Sequence, residues 1–406
     1  MSEIREDPAV SLFREYLKIP TMHPDPDYSK AIDFLCKLAE DVGLDFKTIE
    51  TGPKELFVIM SLVGTNASLP SLGLYSHMDV VPVFPEHWKV PPFSAEKMEN
   101  GDIYARGSQD MKCVGIQYVE AIRRLKKEGK RFLRTIHVMF GPDEETGGKR
   151  GMIPFMKHPE SKRLNLGFCL DEGIANPGPE FRVFYGERSC WWITVRCRGN
   201  PGHGSSFIQD SAAEKLTKIL NTAMDFRAKQ EQRLNSDPSL TIGDVTTLNL
   251  TIIKGGVQHN VVPAELFASF DIRIPPHVDL PEFEKELGRW CREAGDDVTL
   301  EFDQKCDSPH KVPLDSSNPW WTAFMSACQS LSMEVKTEVF PGATDSRLLR
   351  ECGIPALGFS PMNHTPILLH DHNEFLNEKV FLRGIDIYYE IIPALANVSG
   401  SCHLTL

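Results

Sequence analysis

The sequence contains no apolar run close to the roughly 20 residues that a membrane-spanning helix needs. It has no basic surplus either: 44 Lys and Arg stand against 56 Asp and Glu, a formal net charge of −12. Phosphate backbones are held by a basic stripe, and none is present, which speaks against nucleic acid as a partner. The ten cysteines are scattered, without paired spacing or a C-x-x-C. They read as reduced thiols, and the charged opening Met1 to Asp7 lacks the apolar core of a secretory signal, so the expected compartment is the cytoplasm. No internal repeat and no low-complexity tract is visible. What is present is ordinary globular material, 41% hydrophobic and 25% charged over 406 residues. That length predicts two domains, or one large domain with an insertion.

Helical periodicity opens the chain at about Ala9 to Leu17 and again from Ser29 to Val42, with Gly43 as the stop. Short apolar runs then alternate with helical stretches. Phe57 to Met60, Leu72 to Ser76, Thr135 to Phe140 and Leu166 to Leu170 read as buried strands, and Cys113 to Lys127 as a helix. This alternation predicts an α/β fold with a parallel or mixed sheet covered on both faces. Near Glu187 the pattern changes. Strand Trp191 to Cys197, helix Ala212 to Lys229, strands Thr246 to Ile253 and Glu265 to Ile274, helix Pro281 to Ala294 and strand Val298 to Phe302 give β-α-β-β-α-β. That is the ferredoxin-like order, with Thr-rich alternating strands that predict a sheet covered on one face. The expected organisation is a first domain over 1–186, an insert over 187–307, and the first domain resumed over 308–406.

Five short stretches carry candidate metal chemistry, most of them just past an expected strand, where open α/β sheets bind ligands. They are Ser76-His77-Met78-Asp79, Arg106-Gly107-Ser108-Gln109-Asp110, Asp143-Glu144-Glu145-Thr146, Asp171-Glu172-Gly173 and His370-Asp371-His372-Asn373-Glu374. Four of them have a plain alternative: a structural histidine at 77, an N-cap at Asp110, a solvated acidic turn at 143–146, a surface histidine at 370. Asp79 could accept the second ring N–H of His77 and fix its tautomer. The two adjacent glutamates, if extended, point in opposite directions, one toward metal and one toward substrate water. Jointly, two histidines and three carboxylates match a zinc pair sharing a carboxylate about 3.5–4 Å apart.

These stretches resemble the co-catalytic zinc peptidase family of glutamate carboxypeptidases, dipeptidases and aminoacylases. The resemblance runs almost the whole chain and is nearest to the aminoacylase members, through His77-Met78-Asp79-Val80-Val81-Pro82, Ala105 to Cys113, Leu170 to Pro177 and Leu357 to Asn363. It implies two zinc ions per subunit, His77 and Glu172 on one, Glu145 and His370 on the other, with Asp110 bridging. It also implies Glu144 as general base, Asp79 orienting His77, and cleavage of N-acyl-L-amino acids by zinc-activated water to a carboxylate and a free amino acid. A glutamate at position 172 resembles the carboxypeptidase and acylase members, and this leans against a dipeptidase.

Three further candidates lie in the expected insert. His203, in Pro201-Gly202-His203-Gly204, is the oxyanion donor by resemblance, reaching across a homodimer, so the insert would act as lid and dimerisation domain. Arg273 is a bidentate cation suited to the free α-carboxylate of such a substrate, with a structural pair to Asp271 as the alternative. Asn260 matches a carboxylate-side contact, and Thr344, in the first domain, looks substrate-facing by resemblance. Rival readings are a dipeptidase or carboxypeptidase on the same metals, a silent dimeric binding protein, and a single-zinc site of His77, Asp110 and Glu172.

Overall fold

The computed structural model describes residues 6–306 and 311–400. The expected junction at 307 and 308 lies outside them, as does the chain opening at 1–5. The strands of its two larger sheets are, in chain order, β1 (Asp45–Glu50), β2 (Leu56–Leu62), β3 (Ser71–His77), β4 (Ile136–Gly141), β5 (Leu166–Asp171), β6 (Phe181–Glu187), β7 (Ser189–Arg198), β8 (Thr247–Gly255), β9 (Glu265–Ile274), β10 (Val298–Lys305), β11 (Val335–Phe340) and β12 (Ala356–Phe359). The longer helices are α1 (Pro8–Leu17), α2 (Ser29–Val42), α3 (Lys112–Lys127), α4 (Ala212–Ser236), α5 (Leu280–Ala294), α6 (Pro319–Ser330) and α7 (Glu378–Ala396). The described residues fall into two compact units. One holds 6–185, 311–337 and 344–400; the other holds 186–306 together with the short return segment 338–343.

In the first unit an eight-stranded mixed sheet runs β1-β2-β4-β3-β5-β12-β6-β11. Its centre is parallel, β4 with β3, β3 with β5 and β5 with β12, while β1 with β2, β2 with β4 and β12 with β6 pair antiparallel. Alternation along the strands sends side chains into two layers. Val58, Met60, Leu72, Leu74, Val138 and Phe140 join the core under α1, α3 and α7. Phe57, Ile59, Tyr75, Met139 and Cys169 join a second cluster with Met152, Phe155 and Leu349. Both faces are therefore apolar, which is why these strands read as continuous runs. Local signals set the ends: the Asp7 carboxylate accepts from Ala9 N–H at the start of α1 (2.8 Å), and α2 stops at Gly43, whose φ of 72° is left-handed. No helix among the described residues is long and apolar enough to cross a membrane.

The second unit carries a four-stranded antiparallel sheet, β8-β9-β7-β10. With α4 after β7 and α5 after β9, this is the ferredoxin-like order expected. Trp191, Ile193, Val195 and Cys197 of β7 face a core shared with Leu216 and Ile219 of α4 and Leu287 and Trp290 of α5. The opposite face is uncovered in this unit's own fold; Trp192, between two buried residues, is 46% exposed.

Candidate active site

The parallel strands β4, β3 and β5 are adjacent, so their carboxyl ends open at one edge of the sheet, and the ligand-type residues gather there. His77 is the last residue of β3, Glu172 follows β5 directly, and Glu144 and Glu145 lie three and four residues past β4. Asp110 comes two residues before α3, and His370 sits in the loop before a short strand, Phe375–Asn377, with a left-handed φ of 62°.

Asp110 joins the two histidines. Its Oδ1 is 2.9 Å from His77 Nε2 and its Oδ2 is 3.2 Å from His370 Nε2. Glu172 Oε2 stands 3.6 Å from His77 Nε2, and Glu145 Oε2 stands 3.0 Å from His370 Nε2. Two overlapping triads result, His77–Asp110–Glu172 and Asp110–Glu145–His370, each with donor atoms close enough to share one ion.

The electrostatics calls for a cation. Burial, then the charge of Glu172, pushes the Glu144 carboxyl well above its ordinary range. Burial and Asp110 do the same to Glu172, and raise Glu145 to about 7. Burial works against a charged His77, yet the surrounding Glu172, Asp110 and Asp79 carboxylates raise its pKa well above normal. Hydrogen bonds to Asp110 and then Glu145 lift His370 to about 10. Glu145 Oε1 is buried with no hydrogen-bond partner. Four carboxylates crowded around the buried His77 and the half-exposed His370, with an acceptor left over, fit divalent metal, and a mixed oxygen and nitrogen donor set suits zinc.

Three local readings are corrected. The Glu144–Thr146 segment is a single 3₁₀ turn, not an extended strand. Asp143 enters it with a left-handed φ of 70°, and the Asp79 carboxylate then accepts the backbone N–H of Glu144 (3.2 Å) and of Glu145 (3.0 Å). That carboxylate also meets His23 Nε2 at 2.8 Å. With those partners, Asp79 offers His77 Nδ1 its backbone carbonyl at 2.9 Å, and its carboxylate is farther, at 3.6 Å. Asp110 does not cap α3 with its side chain; the N-cap is Met111, and the Asp110–Met111 peptide is cis.

Thr344 belongs to the first unit, is buried, and accepts from Ser346 N–H at 3.2 Å. His203, Asn260 and Arg273 belong to the second. There the short strand Gly202–His203 pairs with Val261–Val262, and Gly204 N–H donates to the Asn260 carbonyl, so His203 and Asn260 are neighbours. His203 is exposed, its Nδ1 2.8 Å from Ser205 Oγ. Arg273 takes up the alternative pairing, donating from Nε and Nη2 to Asp271 at 2.8 and 3.0 Å.

Sequence reading passed over His23 and Glu374. His23 gave no local signal, since its partner Asp79 is far along the chain. Glu374 stood inside a stretch already singled out, four residues past His370, but its partners lie in the stretch that ends at Asp110.

The chain is similar to known proteins over nearly all its length. The family model described as "Peptidase family M20/M25/M40" matches residues 73–394. Aminoacylase-1 of Mus musculus is 56% identical over 393 residues, covering 97% of this chain and 96% of the mouse protein. Among solved structures, an M20 family metallo-carboxypeptidase from Sulfolobus solfataricus is similar with a TM-score of 0.70 at 17% identity, covering 96% of this chain and 100% of that one. A dinuclear metal binding peptidase from the M20 family of Bacillus subtilis is similar with a TM-score of 0.65 at 15% identity, covering 96% of each chain.

Proposed function

Since the chain belongs to peptidase family M20/M25/M40, we propose that it hydrolyses N-acyl-L-amino acids to a carboxylate and a free L-amino acid at a pair of zinc ions. The observation that carries the reading is Asp110, whose two carboxylate oxygens each meet a different histidine. His77 and Glu172 would complete one zinc position, Glu145 and His370 the other. Near-complete coverage of aminoacylase-1 at 56% identity supports the substrate class. Zinc at these positions supplies Lewis acidity, polarising an amide carbonyl and acidifying water.

The remaining work falls to side chains. Glu144 is the general base: it takes a proton from water and delivers it to the departing amine. Asp79 fixes Glu144 through its backbone N–H, and presents His77 through the carbonyl contact. Asp271 occupies two of the five N–H donors of Arg273, leaving Nη1 for a substrate α-carboxylate. Asn260 beside it in function, Thr344, and His203 as a donor to the oxyanion complete the proposed site.

We also infer a homodimer formed through the second unit. Among the described residues its edge strand β8 is paired on one side only, and Ile253 at 55%, Val257 at 94% and Phe207 at 99% exposure are apolar groups in water. Buried free thiols such as Cys113, Cys169 and Cys328 support a reducing cytoplasm.

Assay of zinc-loaded protein on N-acetylmethionine beside an unblocked dipeptide tests the reading. Preference for the acylated substrate is expected. Faster turnover of the dipeptide would overturn it in favour of a dipeptidase.

A further inference from the structure

Glu374 is neither a ligand nor a base in the proposed mechanism, yet it is wholly buried and surrounded by donors. Its Oε1 accepts from Gln109 N–H at 2.6 Å and Asp110 N–H at 3.2 Å, with Ser108 Oγ at 3.5 Å. Its Oε2 accepts from Gly107 N–H at 3.0 Å and Arg106 Nη1 at 2.8 Å. The loop from 106 to 110 is thus wrapped around one carboxylate, and it ends on the aspartate that links the two triads.

The same residue is tied to the other end of the site. Glu374 lies four residues past His370, and its own carbonyl accepts from Ala105 N–H at 3.1 Å. Gln109 adds cross-ties, donating from Nε2 to the carbonyls of Pro366 (3.0 Å) and Phe375 (2.8 Å) while its Oε1 accepts from Leu368 N–H (3.1 Å). His370 is the more exposed of the two histidines and sits on a loop in a left-handed conformation. Its distance to Asp110 therefore depends on how firmly the two loops are joined.

We propose that Glu374 is a positioning residue for the metal position formed by Asp110, Glu145 and His370: it holds the Asp110 loop and the His370 loop at the separation that one ion requires. This rests on the metal reading given above. Glutamine at 374 keeps the shape but turns an amide NH₂ toward N–H donors, which forfeits the contacts on one side of the group.

Zinc binding to the full chain, measured by competition with a chromophoric chelator, tests it. Wild-type protein taking up two equivalents supports the binuclear reading; fewer would count against that reading and not against Glu374. E374Q is expected to hold the equivalent at Asp110, Glu145 and His370 about ten- to a hundredfold more weakly, and the other, which shares only Asp110 with that loop, by a smaller factor. The melting temperature of the chelator-stripped variant reports general loss of packing separately. If folded E374Q binds both equivalents as wild type does, the inference fails. R106Q removes one charged donor and leaves the backbone amides in place. It should weaken the same equivalent by a smaller factor, and wild-type affinity for both there overturns the proposal even where E374Q does not fold.

Discussion

Replacing Glu144 by glutamine removes a proton acceptor and leaves all five proposed ligands in place, so turnover and metal content should part company. Loss of a positioned general base costs about 10²–10⁴-fold. For E144Q we expect kcat to fall by at least about a hundredfold while zinc content stays near normal. Retention of a tenth of wild-type kcat would make the base assignment wrong. Arg273 should behave differently. Hydrogen bonds to charged groups contribute about 1.5–3 kcal/mol, so Arg273→Ala is expected to raise KM for N-acetylmethionine by roughly ten- to a hundredfold. Equal KM values for the two proteins would assign Arg273 to its Asp271 pair alone. At this scale the sequence was most readable where chemistry is local. His77, Glu145, Glu172 and His370 stand out as polar residues at or just past apolar runs, and Asp110 as an acid at a loop-to-helix boundary. Glu374 and His23 look like any other acid and histidine, because their meaning lies in partners brought close only by the fold.

Elements show the same division between local and long-range information. The buried strands β3, β4 and β5 announce themselves as apolar runs, and α2 by its period and its Gly43 stop. The strands β1 and β11 are short and rich in charged or polar residues, so they were not picked out; sheet pairing, not periodicity, makes them strands. The turn at 143–146 was misjudged because its shape is imposed by the distant Asp79 carboxylate. Within β4, His137 is buried beside Ser61 Oγ (2.8 Å), and burial lowers its pKa to about 4. In the unfolded chain its pKa is about 6.5. The native state therefore refuses a proton that the unfolded state accepts. Stability from this group is intact above pH about 6.5 and falls as the pH drops toward 4, by up to about 3 kcal/mol. Denaturant unfolding at pH 7.5 and pH 5 should show a smaller acid loss for His137→Gln than for wild type. Parallel losses would mean that the imidazole is not held neutral.

For the whole molecule, the proposed homodimer makes a test that neither unit alone could provide. His203 and Glu144 stand on different units of one chain. If His203 serves the partner's site, mixing inactive H203A and E144A chains should restore activity, up to about a quarter of wild type, since a random mixture places both intact residues at only some sites. No recovery after verified subunit exchange would confine each site to one chain. The order of the large sheet has a different consequence, in time. Strand β12 fills the place between β5 and β6, but the ribosome makes it long after both. At about 5–20 residues per second, the wait between Asp171 and Ala356 is on the order of ten to forty seconds. Through that interval the nascent chain carries two strand edges open to the wrong partner. Its yield in a cell should depend on what shields those edges until the last central strand arrives.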